Sequence, residues 1–354
     1  MKALVFNGPK DLRYESFADP KISKDSSLII QVKNCSICGS DLHMYHGDRI
    51  GPFDYSKPMD HFCTGHETIG EVVEVGKAVT AHKVGDRILV AGGSGCGVCK
   101  HCRRGELSLC EGGSRGQPAI AYGVSPVLQG GHAEYMEVPF ADIGAATIPD
   151  GVTDEQAILL TDALGTGYYG VKMANVKPGD SVAVIGQGPV GLMAAEAAMA
   201  VGASRVYCID MQDSRLKLAA KFGGIPLKPD EALQRIKEDT NGLGVDAVVE
   251  AVGVGPTLKQ ATMMLRFGGS MSILGILQKG TELPVRIMQT KCLRVHAGIS
   301  GIANLWEELI PLVQGGRIKG EGIFTHHFSL SEGAEAFRLF ESREDGVIKT
   351  LITP

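Results

Sequence analysis

The sequence predicts an α/β protein in which a doubly wound parallel sheet follows a β-rich first part. Three observations predict it. Residues 181–185, Ser-Val-Ala-Val-Ile, read as a buried parallel strand, and a G-x-G-x-x-G turn (Gly186, Gly188, Gly191) leads from it into an Ala-rich helix. From 181 to 299 strand-like and helix-like patterns alternate. Residues 1–90 instead carry short β-branched runs punctuated by Gly and Pro, as in Gly8-Pro9, Gly51-Pro52 and Gly85-Asp86.

In chain order, strands are expected at 1–6, 27–33, 69–75 and 87–90, and another at 132–139. A helical pattern covers 153–175 and opens on Thr153-Asp-Glu-Gln156, a capping box. The parallel strands follow at 181–186, 205–210, 245–252, 270–276 and 293–299, with helices at 190–201, 213–222, 230–239 and 256–266. A helix at 304–314, a short β segment, a helix at 331–341 and a strand at 347–352 close the chain. With 354 residues, two domains are expected. Hydrophobic residues make up 44% and charged residues 21%, and the net charge is -5, which gives no electrostatic reason for a nucleic-acid or anionic-membrane partner. No apolar run has the length of a membrane span, and the N-terminus turns polar too soon for a signal peptide. Nine cysteines in such a chain point to metal ligands or reduced thiols, and to the cytoplasm.

Cys96, Cys99, Cys102 and Cys110 stand at C-x2-C-x2-C-x7-C in a Gly- and Arg-rich segment. That spacing lets four thiolates converge on one tetrahedral zinc, and a closed thiolate shell makes the ion structural. Cys35, Cys63, Cys208 and Cys292 have no metal spacing and read as buried small hydrophobes. His326 and His327 are neighbours in a strand-like segment, face opposite ways and do not chelate together.

The glycine turn has a strand before it, a helix after it and an acid, Asp210, at the end of the next strand. A carboxylate there accepts from ribose hydroxyls and repels a 2′-phosphate, so the expected cofactor is NAD. Pro189 and Val190 lie within the turn, where a helix N-terminus meets the pyrophosphate. Gly253, ending the third strand, permits another close backbone approach. Arg215 is the residue type that accommodates a 2′-phosphate.

Over essentially its full length the chain resembles the zinc-containing medium-chain alcohol dehydrogenases. The resemblance rests on Cys38-Gly-Ser40-Asp41-x-His43, Gly65-His66-Glu67, the four-cysteine lobe and the glycine turn, all in the family's order. It implies a GroES-like catalytic domain at 1–160, to which 300–354 returns, and a Rossmann coenzyme domain at 161–299. It also implies that Cys38 and His66 bind a catalytic zinc, with Asp162, ahead of Thr166-Gly167-Tyr168, as third ligand. An aspartate there is similar to bacterial and archaeal secondary-alcohol and glutathione-independent formaldehyde dehydrogenases. By the same resemblance Glu67 is a nearby or intermittently bound carboxylate, Thr166 packs near the nicotinamide, Arg215 lies on the adenosine ribose and Lys349 meets the pyrophosphate.

Such a zinc lowers the pKa of an alcohol oxygen, which favours hydride loss from the adjacent carbon. Ser40 and His43 then form the expected route for the released proton. Cofactors are thus NAD and two zinc ions per subunit. The expected activity is NAD-dependent oxidation of a primary or secondary alcohol, or the reverse reduction of an aldehyde or ketone, in a homo-oligomer with a tetramer favoured over a dimer. Alternatives are a polyol or amino-alcohol dehydrogenase of sorbitol or threonine type, whose usual ligand is Glu at the Asp162 position, and a formaldehyde dehydrogenase-like enzyme. A non-catalytic protein of the same fold is the alternative outside enzymes, and the intact ligand set argues against it. Segments 44–62 and 111–130 are expected to shape the substrate pocket.

Overall fold

Runs of Val, Ala and Ile that bury both faces become the strands of a six-stranded sheet. Its order is Ile225–Leu227, Arg205–Ile209, Ser181–Ile185, Val245–Glu250, Leu265–Ile273, Arg294–Ala297, and every pairing is parallel. Strand order reverses between Ser181–Ile185 and Val245–Glu250, so the carboxyl ends of these strands form the switch point of a Rossmann sheet. The computed structural model describes residues 1–50, 53–114 and 121–354. Residues 51–52 and 115–120 of the expected pocket segments lie outside the described residues.

The chain divides into two compact units. The first comprises Met1–Asp162, Ser300–Gln314 and Phe324–Pro354, and the second Ala163–Ile299 with Gly315–Ile323. Two stretches depart from the expected division: Thr161 and Asp162, expected with the coenzyme domain, belong to the first unit. Gly315–Ile323, expected with the first unit, belongs to the second. There the Glu196 carboxylate accepts the backbone N–H groups of Lys319 (2.7 Å) and Gly320 (3.0 Å), and Arg317 donates to the Ala200 carbonyl at 3.1 Å.

In the first unit a mixed sheet runs Ala145–Thr147, Arg87–Val90, Glu67–Val75, Leu28–Ser36, Lys349–Thr353, Phe324–Ser329, and Tyr135–Val138 also pairs with Leu28–Ser36. The last strand of the chain is therefore interior to this sheet, antiparallel to Leu28–Ser36 and parallel to Phe324–Ser329. Asp11–Ser16, Lys2–Gly8 and Phe62–Cys63 form a smaller sheet. Leu4, Phe6, Leu28, Ile30, Met44 and Phe337 fill the core of this unit, and Ile185, Tyr207, Val248 and Met271 that of the second.

The helical pattern at 153–175 becomes two helices, Asp154–Thr161 and Ala163–Met173, because Asp162 leaves the helical region at φ -152°, ψ -69°. Thr153 makes the expected capping box with Gln156. The strand Ile225–Leu227 and the helix Val285–Thr290 went unanticipated; three residues around a proline and six residues ahead of a turn carry little periodicity. Cys35, Cys63 and Cys208 are buried as expected, whereas Cys292 is exposed. It occupies a turn at φ +53° between Val285–Thr290 and Arg294–Ala297, where no core reaches it.

Candidate functional site

Three groups from separate stretches of the first unit converge. Cys38 follows the strand Leu28–Ser36, His66 immediately precedes Glu67–Val75, and Asp162 ends Asp154–Thr161. One ligand atom of each lies within 4.8 Å of the others. The Cys38 thiol donates to Asp162 Oδ2 at 3.0 Å, and His66 Nε2 stands 3.7 Å from the same oxygen. The Ser40 hydroxyl lies 3.2 Å from His66 Nε2.

Local structure fixes each group. Gly65 sits at φ +95°, and a Cβ there would meet the His132 ring at 2.5 Å, so only glycine delivers the chain to His66 along this path. The buried indole of Trp306 donates to the Leu160 carbonyl at 2.9 Å and holds the helix end from which Asp162 turns away. Asp41 is wholly buried; its Oδ2 accepts the Cys38 N–H at 2.9 Å, and its Oδ1 faces His66 Nδ1 at 3.0 Å. A carboxylate behind one imidazole nitrogen turns the other outward as a ligand, the arrangement metal-binding histidines adopt.

The electrostatics fit a cation. Burial, reinforced by Asp162, pushes the Cys38 thiol up to about 11. Burial opposes a charge on His66, yet Asp41 and Asp162 outweigh it and raise its pKa well above the ordinary value. Burial would also raise Asp162, but the His66 ring and the Cys38 thiol hold it below the usual carboxylate range. A buried acid, a thiol and an imidazole this close suit a divalent ion that displaces their protons. Soft sulfur, imidazole nitrogen and one carboxylate are zinc-type donors, and three protein ligands leave a position open.

Glu67 and Lys349 form a fully buried ion pair, with Lys349 Nζ 2.5 Å from Glu67 Oε2 and 3.3 Å from the Ile37 carbonyl. Burial alone would lower the Lys349 pKa, and Glu67, with Cys38 and Asp162 nearby, together more than reverse this, so it is raised. Lys349 is thus not the expected pyrophosphate cation: it is 0% exposed and committed to Glu67, because its interior strand points it into the unit.

The four cysteines of the lobe bring their sulfurs within 4.8 Å of one another. Cys96 N–H donates to Cys110 Sγ (3.2 Å) and Cys102 N–H to Cys99 Sγ (3.5 Å). Backbone N–H groups of Cys102 and Glu111 lower Cys99 to about 6, while burial raises Cys102 to about 12. N–H groups aimed at sulfur are what coordinated thiolates need, so this set also fits a metal.

In the second unit the glycine turn joins Ser181–Ile185 to the helix Pro189–Ala200, whose first residues are Pro189 and Val190. A Cβ on Gly191 would lie 1.7 Å from the Gly186 carbonyl oxygen, so glycine is what lets helix and turn close together. A Cβ on Gly188 would meet only Arg215 Nη1, at 3.9 Å, which leaves room at the helix N-terminus for an anion. Asp210 accepts the N–H groups of Gln187 (2.6 Å) and Gln212 (2.8 Å), and Arg215 Nη1 lies 3.8 Å away. Gly253, at φ +85°, gives its N–H to the buried Glu250 carboxylate at 2.9 Å. Thr166 lies half-buried on Ala163–Met173. These groups fit the expected dinucleotide.

Reading the sequence missed Asp41 and the Glu67–Lys349 pair. The acid after Ser40 in Cys38-Gly-Ser40-Asp41 was a signal for the first, and nothing local marks the second.

Residues 24–150 match the family described as alcohol dehydrogenase GroES-like domain, and residues 189–315 match zinc-binding dehydrogenase. A probable zinc-binding alcohol dehydrogenase of Mycobacterium tuberculosis is 34% identical over 100% of this chain and 89% of its own length. The sorbitol dehydrogenase of Bacillus subtilis is 32% identical over 100% and 97%. Among solved structures, alcohol dehydrogenase TADH from Thermus sp. ATN1 superposes with a TM-score of 0.91 at 34% identity, covering 100% of this chain and 99% of that one. A putative zinc-binding dehydrogenase from Sinorhizobium meliloti 1021, solved with NADP, has a TM-score of 0.84 at 28% identity, covering 100% and 99%. The chain belongs to the zinc-containing medium-chain alcohol dehydrogenases, a family of zinc-dependent alcohol and polyol oxidoreductases.

Proposed function

We propose that this protein transfers a hydride between NAD and a primary or secondary alcohol, and in reverse to an aldehyde or ketone. The observation that carries the reading is the convergence of Cys38, His66 and Asp162 within 4.8 Å, with Asp41 behind His66. In this reading they bind a catalytic zinc, and Cys96, Cys99, Cys102 and Cys110 bind a structural one. When bound, zinc would supply Lewis acidity toward the substrate oxygen and the dinucleotide would supply a hydride acceptor.

The chain's own residues do the rest. Asp41 orients the His66 ring. Lys349 restrains Glu67, so that the carboxylate is held beside the ligand set. Ser40 hands the alcohol proton on, and His43 receives it. Gly186, Gly188 and Gly191 shape the pyrophosphate turn, and Asp210 accepts from ribose hydroxyls. Placing NAD before NADP is supported by the Asp210 carboxylate at the strand end, which disfavours a 2′-phosphate. Thr166 packs beside the nicotinamide, and Arg215 lies along the ribose.

A homo-oligomer is supported by the open edge strand Arg294–Ala297, whose Val295 is 38% exposed. Nine cysteines, five of them in metal-type clusters and none in a disulfide, support a reducing, cytoplasmic setting. Among the described residues no helix is long and apolar enough to cross a membrane. A polyol substrate is the second reading, supported by the sorbitol dehydrogenase relative.

The test is a screen of primary alcohols, secondary alcohols and polyols with NAD and NADP, on protein of measured zinc content. Turnover of a simple alcohol, with kcat/KM higher for NAD, is expected. Zinc-loaded protein that oxidises only polyols overturns the first substrate reading, and preference for NADP overturns the cofactor.

A further inference from the structure

We infer that Asp48 is a positioning residue for His43, fixing which ring nitrogen is free to take the proton released from the substrate. The inference rests on the proton route proposed above. His43 lies in the short helix Asp41–His46, which ends at Gly47 in the left-handed conformation, φ 81°. Gly47 N–H donates back to the Met44 carbonyl, and Asp48 N–H to the His43 carbonyl at 2.9 Å. This reversal brings the Asp48 side chain onto the ring it has just passed: Oδ2 lies 2.8 Å from His43 Nδ1. A helix continuing through 48 would send the two side chains to different faces, so Gly47 makes the pair.

An ionised carboxylate only accepts hydrogen bonds, so Nδ1 carries the ring hydrogen and Nε2 of the neutral imidazole is left bare. Two-electron oxidation of an alcohol by a nicotinamide dinucleotide gives the carbonyl, the reduced dinucleotide and one proton. That proton comes from the hydroxyl, and bare Nε2 receives it before water does. The same logic holds the base of a serine protease in its working tautomer.

Neighbouring charges are engaged elsewhere. Asp41, on the same helix, serves Cys38 and His66; His46 meets Glu341 at 2.6 Å; on the following hairpin Asp54 pairs with Lys57 at 3.5 Å, and Arg49 is exposed. The His43 and Asp48 side chains are 29% and 50% exposed, so the pair adds little to stability and its effect is separable from folding.

The experiment compares the zinc-loaded wild type with Asp48→Ala, Asp48→Asn, His43→Ala and the double alanine variant. Asp48→Ala should lower kcat about ten-fold with KM, zinc content and thermal midpoint unchanged. Asp48→Asn, whose amide can present either its oxygen or its NH2 to Nδ1, should leave the tautomer mixed and recover little of that loss. In the His43→Ala background, Asp48→Ala should cause no further loss. Histidine-selective ¹⁵N spectra of the wild type should show His43 as the Nδ1–H tautomer, and the alanine variant should lose that preference. A wild-type Nε2–H tautomer, or an Asp48→Ala loss that persists without His43, overturns the assignment. If His43→Ala leaves kcat unchanged, the proton route itself is wrong, while the tautomer still reports on Asp48.

Discussion

Asp162 carries more at one position than its neighbours do. It leaves the helical region, so its carboxylate turns toward Cys38 and His66 instead of lying along the helix. Asp162→Ala should remove one zinc per chain, leave the ion of the cysteine lobe in place and reduce activity beyond the roughly 10–100-fold typical of changes outside the ligand shell. Metal analysis of the variant checks this, and unchanged zinc content contradicts the ligand role. His132 offers a different test. It is fully buried, its Nε2–H donates to the Ser36 carbonyl at 3.0 Å, and Thr64 Oγ1 lies 2.9 Å from Nδ1. Burial lowers its pKa below the ordinary 6.5. The unfolded chain therefore binds a proton at mildly acid pH that the folded one refuses, and stability rises with pH in that range. The His132 contribution is full above about pH 6.5 and is lost as pH falls below it. His132→Asn should be less stable at pH 7.5 but lose less of its urea midpoint between pH 7.5 and 5.5 than the wild type. Cys38 and His66 were readable because motif residues flank them. Lys349 was misread because its partner Glu67 is far away in sequence, and only the sheet brings the two together.

Among the elements, the pair Ala163–Met173 and Pro189–Ala200 shows how a small residue sets a spacing. A Cβ on Gly167 would come within 2.6 Å of the Ala194 nitrogen and 2.9 Å of the Val190 carbonyl oxygen, so these helices meet backbone to backbone. Gly167→Ala should destabilise the second unit by about 1–3 kcal/mol, because backbone cannot yield as a flexible side chain does. Urea unfolding checks it, and a change within 0.5 kcal/mol would mean that the helices separate freely. The capping box at Thr153 and the alternating strands could be read directly, since each signal is local and periodic. The break at Asp162 could not: Ala157–Leu160 and Ala163–Leu164 continue one apolar pattern, and the interruption comes from tertiary packing at Leu160 and Thr161.

For the molecule as a whole, the sequence revealed which kinds of unit to expect more readily than where the chain passes between them. Alternation of strand and helix after 181 announces the parallel sheet, and a Gly-rich turn followed by an acid announces its ligand end. The assignment of Gly315–Ile323 depends on Glu196, a side chain from a helix over a hundred residues earlier, and no window of sequence displays that contact.

The interior position of Lys349–Thr353 has a consequence for how the protein is made. A chain emerging from the ribosome delivers Cys38 and His66 early and Asp162 midway, yet the slot between Leu28–Ser36 and Phe324–Ser329 stays vacant until Lys349–Thr353 has emerged. Until then the Glu67 carboxylate has no ammonium beside it. The parallel sheet, by contrast, has all its strands by Ala297. Completion is therefore asymmetric: the parallel sheet has its strands early in synthesis, whereas the mixed sheet gains its interior strand only when Lys349–Thr353 has emerged.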